Sequence, residues 1–394
     1  MPPSSNGGVS PEKQLLVCCA RTRVTPDVAQ KIRHLLAEPV DWDFVLAEAH
    51  EHSIFPLLDR QLRNVAPDSV PAASAERLKS ETRANAVRCL AFSAELIRIM
   101  DALDSRGIPA IPYKGSVIAA QAYADITLRE FEDLDIVLRQ RDLESAHDAI
   151  QALGYQPRFP WIHTRSVQAS LIPGEYNYSS AERRTMLELH TELTLRHFPS
   201  MPDLDDFLRR TVKVDVGGHA VRTFSPEDAL VVLCVHGAKD FWQKLIWVAD
   251  IAELVRSYPE LDWNQVAQRA GALRAERMLY FGLALASDLL DTKLPPEVVA
   301  RVEADSAVAP LVACVKENML GWNSRPFDAG ARFNFRRRMV PGLAAGWRYS
   351  LRLALAPAEE DWLTLRLPRP LTLLYIVLRP LRLLRKYGWA ERQA

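Results

Sequence analysis

The stretch IPAIPYKGSVIAAQAYADITLREFEDLDIVL, residues 108–138, decides how this chain folds. It opens after Gly107 on a short extended run ending at Tyr113, bends at Lys114-Gly115-Ser116, and reads as helix from Ser116 to Tyr123. It then returns as a second strand, Leu134-Asp-Ile-Val-Leu138. Side chains alternate along a strand, so Asp133 and Asp135 project from one side while Leu134 and Ile136 face the other. Two carboxylates held that close repel each other unless a cation sits between them. The spacing therefore suits a Mg²⁺ or Mn²⁺ site and is costly in a plain core strand. Where the first strand turns into helix, backbone N–H groups and the helix N-terminus can hold phosphate oxygens, and Gly115 permits close approach. Ser116 can add its hydroxyl. Lys114 either lends its charge to the phosphates or braces the carboxylates.

Working outward, Thr185-Met-Leu-Glu-Leu-His190 repeats the alternation. It buries Leu187 and Leu189 and turns Glu188 and His190 out together, which offers a third carboxylate from a neighbouring strand. Three carboxylates can hold two metals, one serving an attacking hydroxyl and the other a triphosphate and its leaving pyrophosphate. Glu188 is expected to complete the site and activate the acceptor. His190 orients Glu188, binds the acceptor, or is simply a hydrogen-bonded strand-end histidine. Arg129 contacts a phosphate or clamps the carboxylates, against the plainer role of an ion pair. His236 and Lys239, on a helical run that begins at Pro226 behind an N-cap at Ser225, are expected either to cover the nucleotide or to be structural. For His236 the structural alternative is a pair with Asp250 that pins two helices. Trp242 and Trp247 read as core anchors.

Around this centre the pattern is helical. The expected division is a disordered polar start over 1–11, a helical region over 12–105, an α/β core over 106–225, a second helical region over 226–325, and loops with a basic amphipathic tail over 326–394. Leu90, Ala94, Ile97, Met100 and Leu103 are expected to form one stripe of a long helix. The fold class that follows is α+β, a small mixed β-sheet flanked by helical regions.

Hydrophobic residues make up 48% and charged residues 25% of the 394, ordinary globular usage that excludes a wholly disordered chain. Lys+Arg and Asp+Glu both total 49, which disfavours nucleic acid as a partner of the whole molecule. Cys18, Cys19, Cys89, Cys234 and Cys314 form no Cys-x-x-Cys pair and read as buried thiols of a reducing compartment. The polar start has no apolar core of a signal peptide, and apolar runs stop short of the ~20 residues of a membrane span. A cytoplasmic location is expected. Between Leu363 and Ala390 stand six basic residues and no acidic one, interleaved with Leu, Ile, Val, Tyr and Trp. That tail reads either as peripheral contact with a membrane or an acidic partner, or as a segment whose Leu381, Leu384 and Tyr387 dock back on the helices.

Taken in order, Tyr113-Lys-Gly-Ser116, Tyr123, Arg129, Asp133-Leu-Asp-Ile136, Leu153-Gly-Tyr155 and Leu187-Glu-Leu-His190 resemble the uncharacterised nucleotidyltransferase family of the DNA polymerase β-like superfamily. Leu233-Cys-Val-His236, Trp247-Val-Ala-Asp250 and Leu378-Arg-Pro-Leu-Arg-Leu-Leu384 extend the likeness over nearly the whole chain from about residue 15. The resemblance implies transfer of a nucleoside monophosphate from a nucleoside triphosphate to an unidentified acceptor hydroxyl. It carries the family's Gly-Ser turn and acidic triad onto Gly115, Ser116, Asp133, Asp135 and Glu188. Two departures stand out: the interval from Gly115 to Asp133 is long, and Lys-Gly replaces a double glycine. The alternative is a non-catalytic nucleotide-binding accessory of a biosynthetic pathway.

Overall fold

Capping side chains written into the sequence start many of the helices. Ser10, Thr25 and Asp41 accept hydrogen bonds from the N–H groups of Lys13, Val28 and Phe44 and open α1 (Pro11–Cys19), α2 (Pro26–Leu35) and α3 (Trp42–Glu51). After α4 (Phe55–Val65), α5 (Ala72–Asp104) runs 33 residues. This computed structural model describes residues 9–158, 174–193, 203–321, 327–340, 342–355 and 374–388, with Leu365, Leu367 and Leu371. Of the stretch expected to be disordered, residues 1–8 lie outside the described residues, whereas Ser10 and Pro11 already form the first turn of α1.

The stripe expected on α5 is partly displaced. Leu90 is 55% exposed and Ala94 is exposed, while Leu78, Cys89, Phe92, Leu96, Ile99, Met100 and Leu103 are buried. Alternating steps of three and four residues hold the buried row on one side of a long helix, and Leu90 falls one position beyond it.

The α+β architecture expected from the sequence is the one found. After β1 (Ala110–Tyr113) come α6 (Gly115–Ala122), β2 (Asp133–Leu138), α7 (Leu143–Ala152), β3 (Gln156–Pro157), β4 (Glu175–Ser180) and β5 (Thr185–His190). Among the described residues these strands form one sheet in the order β1-β2-β5-β4-β3, in which only β2 and β5 run parallel. Then α8 (Leu204–Arg209) leads to a hairpin, β6 (Val212–Val216) and β7 (His219–Thr223), turning at Gly217-Gly218 where both φ are positive. Four of these strands, β3, β4, β6 and β7, are absent from the sequence reading. Their signals are short: Tyr176 and Tyr178 alternate over six residues, and Val212, Val214 and Val216 over five.

Ser225 caps α9 (Pro226–Lys239), as expected, and α10 (Leu245–Ser257), α11 (Trp263–Ala272), α12 (Glu276–Leu290), α13 (Pro296–Ala304) and α14 (Val308–Leu320) follow. Beyond them lie α15 (Ala329–Met339), α16 (Leu343–Leu355) and a last helix, α17 (Tyr375–Gly388). Trp242 is fully buried, and a Cβ added to Gly237 would lie 2.7 Å from its ring, so the indole is seated against α9 backbone.

Two cores position the sheet. On one side Leu134, Ile136, Leu187, Leu189, Tyr176 and Tyr178 pack with Phe92, Leu96 and Ile99 of α5 and Ala146 and Ile150 of α7. On the other, Ile111, Tyr113 and Val137 join the larger core shared by α1–α4 and α9–α14. Burial on both sides leaves the polar end of that second face as the place where charged side chains can gather.

Candidate active site

Strand register brings the acidic residues together. Asp135 lies opposite Tyr113 on β1 and Glu188 on β5, and Glu188 lies opposite Asn177 on β4, so one rung of the sheet carries all four. The next rung places Val137 beside His190, and His190 beside Glu175. Asp133 is two residues along the same face as Asp135.

Asp135 is 3% exposed and is the centre of the charge pattern. Lys114 Nζ is 2.6 Å from its Oδ1, and His190 Nε2 is 3.1 Å from the same oxygen. Of the two directions open to Lys114, its side chain takes the one that braces the carboxylates. His190 Nε2 is also 3.4 Å from Glu188 Oε2, and its ring stands edge-on to Tyr113 with centroids 5.4 Å apart. Burial disfavours ionised Asp135, but Lys114 and His190 outweigh it and hold the carboxyl well below the usual range. Burial lowers His190, and its hydrogen bonds to Asp135 and Glu188 more than offset this, leaving it raised. Asp133 differs: burial, then the neighbouring Asp135 charge, push it up to about 7.

The turn before α6 is strained. Lys114 has φ 63° and Gly115 φ 43°, both in the left-handed region. A Cβ on Gly115 would lie 3.7 Å from the Asp133 carbonyl oxygen, so the bend abuts the carboxylate strand. Ser116 is placed otherwise than expected: it is 1% exposed, and its hydroxyl bonds Ser93 Oγ of α5 at 2.9 Å. Its side chain is thus held inside the protein and does not line the cleft described below.

Arg129 also departs from expectation. Its Nε and Nη2 donate to the two oxygens of Asp250, each at 2.8 Å, and Tyr123 Oη donates to Asp250 Oδ1 at 2.7 Å. All three side chains are buried, where an unpaired charge would be prohibitive, so this pair forms rather than a clamp on the carboxylates. It ties α10 to α6 and to the loop that delivers β2. Asp250 is thereby taken, and His236 pairs instead with Asp240, Nδ1 to Oδ2 at 3.1 Å, its ring edge-on to Trp247.

A cleft of about 560 Å³ opens over this face. Asp133, Asp135, Glu188, Lys114, Arg129, His236 and Lys239, seven of the residues singled out in the sequence, line it. His190 is buried beside Asp135, and Asp250 sits behind Arg129. Four further residues complete the arrangement, of which sequence reading missed Glu175 and Asp240. Tyr113 backs His190, Glu175 holds Lys239 through a 2.6 Å ion pair, Asp240 holds His236, and Lys244 Nζ bonds Ser53 Oγ at 3.1 Å. Glu175 lies on a strand that was not read, and Asp240 stands next to Lys239, which was.

A family model described as an uncharacterised nucleotidyltransferase matches residues 38–291, more than half of the chain. The chain belongs to that nucleotidyltransferase family. Within the matched span lie every residue of the cleft and both partners of the Arg129–Asp250 pair. Among solved structures, this nucleotidyltransferase is similar to the antibiotic-resistance factor ANT(2'')-Ia at 16% identity, over 46% of this chain and 90% of that one. The TM-score is 0.32, too low for any of that protein's chemistry to be transferred. No curated protein matches the chain.

Proposed function

We propose that this nucleotidyltransferase moves a nucleoside monophosphate from a nucleoside triphosphate to an acceptor hydroxyl, with release of pyrophosphate and with Mg²⁺ or Mn²⁺ at the carboxylates. The observation that carries the reading is the convergence of Asp133, Asp135 and Glu188 on one polar sheet face, beside a left-handed glycine bend and open to the cleft.

The donor set fits a divalent cation. Asp135, Glu188 and His190 each offer one ligand atom, and these atoms lie within 4.8 Å of one another. Asp133 lies outside that group but two residues along the same face, and with Asp135 and Glu188 it makes up the proposed ligand set. When bound, the cation would offset the charge of the triphosphate and of the departing pyrophosphate. The chain supplies the rest. Lys239 and Lys244 project cations into the cleft that can pair with phosphate oxygens. Gly115, at the N-terminus of α6, turns the chain so that Lys114 reaches the carboxylates, and is itself buried and outside the lining of the cleft. Glu188 takes the acceptor proton, and Asp133, whose carboxyl burial and the Asp135 charge push up in the metal-free chain, is the carboxylate whose charged form a bound cation would favour. His190, held between Asp135 and Glu188, fixes both carboxylates.

The test is incubation of the purified chain with each α-labelled nucleoside triphosphate, Mg²⁺ or Mn²⁺, and a cell extract. Labelled product with stoichiometric pyrophosphate is the expected result. Calorimetric binding of ATP with no pyrophosphate release across a broad acceptor panel would establish the accessory role instead.

A further inference from the structure

The last helices carry an apolar surface with no described residue over it. On α16, Trp347 and Leu351 are 71% and 61% exposed; on α17, Val377 and Leu381 are 61% and 60% exposed. Each pair is four residues apart and so forms a ridge along one face of its helix. Leu374, 45% exposed, extends the second ridge by three residues. The exposure is one-sided. Tyr349 and Tyr375 on the same helices are 2% and 3% exposed, and α16 packs on α17, so each helix uses another face for internal contacts. Leu381, one of the residues offered for docking back, faces outward; the side chains of Leu384 and Tyr387 lie outside the described residues.

Charge is segregated in the same place. Residues 343–355 hold Arg348 and Arg352 and no acidic residue, and residues 374–388 hold Arg379, Arg382, Arg385 and Lys386 and no acidic residue, in a chain whose charges balance overall. Glu359, Glu360 and Asp361 belong to the connecting segment outside the described residues. A second copy of the chain would bring the same basic residues against these and be repelled. An anionic bilayer offers both an apolar boundary for the ridges and phosphate groups for the arginines.

We propose that α16 and α17 are an interfacial docking surface for an anionic lipid bilayer. The ridge of Val377 and Leu381 enters the headgroup–acyl boundary, beside that of Trp347 and Leu351, while the arginines stay among the headgroups. The protein rests on the membrane and does not cross it. Fourteen residues of helix span about 21 Å, short of a hydrocarbon core of about 30 Å, and no helix of the described residues is long and apolar enough to cross.

The experiment is co-sedimentation of the full chain with phosphatidylcholine vesicles and with vesicles of equal parts phosphatidylcholine and phosphatidylglycerol. The chain is expected to pellet with the anionic vesicles only. Leu351→Asp with Leu381→Asp, both at exposed positions, should cut the bound fraction at least tenfold while leaving the thermal unfolding curve and any pyrophosphate release unchanged. A chain left in the supernatant by anionic vesicles overturns the proposal. So does a double variant that binds as well as the native chain, or a native dimer in solution that this variant splits, which would make a second copy the occupant.

Discussion

Lys114 Nζ and Asp135 Oδ1 are 2.6 Å apart inside the protein, so an internal cation already stands at the carboxylate cluster. Its own charged form is disfavoured by burial but more strongly favoured by Asp135 and Asp133. Lys114→Met should leave Asp135 facing only His190 and destabilise the metal-free chain by roughly 3–5 kcal/mol. Mn²⁺ should restore more stability to the variant than it adds to the native chain, because the ammonium no longer competes. Thermal unfolding in chelator and in Mn²⁺ measures both; equal melting of the two proteins in chelator would show that the lysine is not a brace.

Asp133 yields a pH dependence of definite sign. Its carboxyl is pushed up to about 7 from an ordinary value of 3.8, so between those values the folded chain holds a proton that the unfolded chain has lost. The stability this gives is fully present below about pH 4 and is lost as pH rises through about 7. Asp133→Asn stays neutral throughout. In chelator its advantage over the native chain should grow from little near pH 4 to on the order of 1–3 kcal/mol at pH 8, while pyrophosphate release disappears. Urea unfolding at several pH values reads the first and a coupled phosphate assay the second. A stability gap that does not change with pH contradicts the assignment.

The Arg129–Asp250 pair invites a double-mutant cycle. Asp250→Ala leaves a buried guanidinium without its carboxylate and should cost roughly 3–5 kcal/mol. Arg129→Met combined with Asp250→Ala should cost less than the two single losses added together, with a coupling energy on the order of 1–3 kcal/mol. Denaturant titrations of the two single variants and the double variant provide the numbers; additive losses would mean that the two side chains act independently.

Trp242 is wedged against two glycines. A Cβ at Gly237 would sit 2.7 Å from the indole, and one at Gly282 would meet Cys234 Sγ at 2.6 Å and the indole at 3.0 Å. Either Gly→Ala change should destabilise the chain by about 1–3 kcal/mol through overpacking. Gly237→Ala should cost less in a Trp242→Leu background than in the native chain, because the ring it would strike is gone, and equilibrium unfolding can decide this.

Local physics was enough to locate the centre of the molecule. Period-two alternation put Asp133 and Asp135 on one face, the Gly115 bend marked a strand-to-helix turn, and Ser225 announced α9, because alternation, left-handed backbone and capping depend on near neighbours in the chain. Pairing across distance lay beyond its reach. That β5 runs parallel to β2 and sets Glu188 beside Asp135, that Lys114 turns to the carboxylates, that Ser116 faces Ser93, and that Arg129 meets Asp250 are outcomes of the folded molecule. The sheet is buried between two cores, and a charged or polar group caught there goes to whichever partner the packing brings within reach, from residues 21 to 121 positions away in these cases.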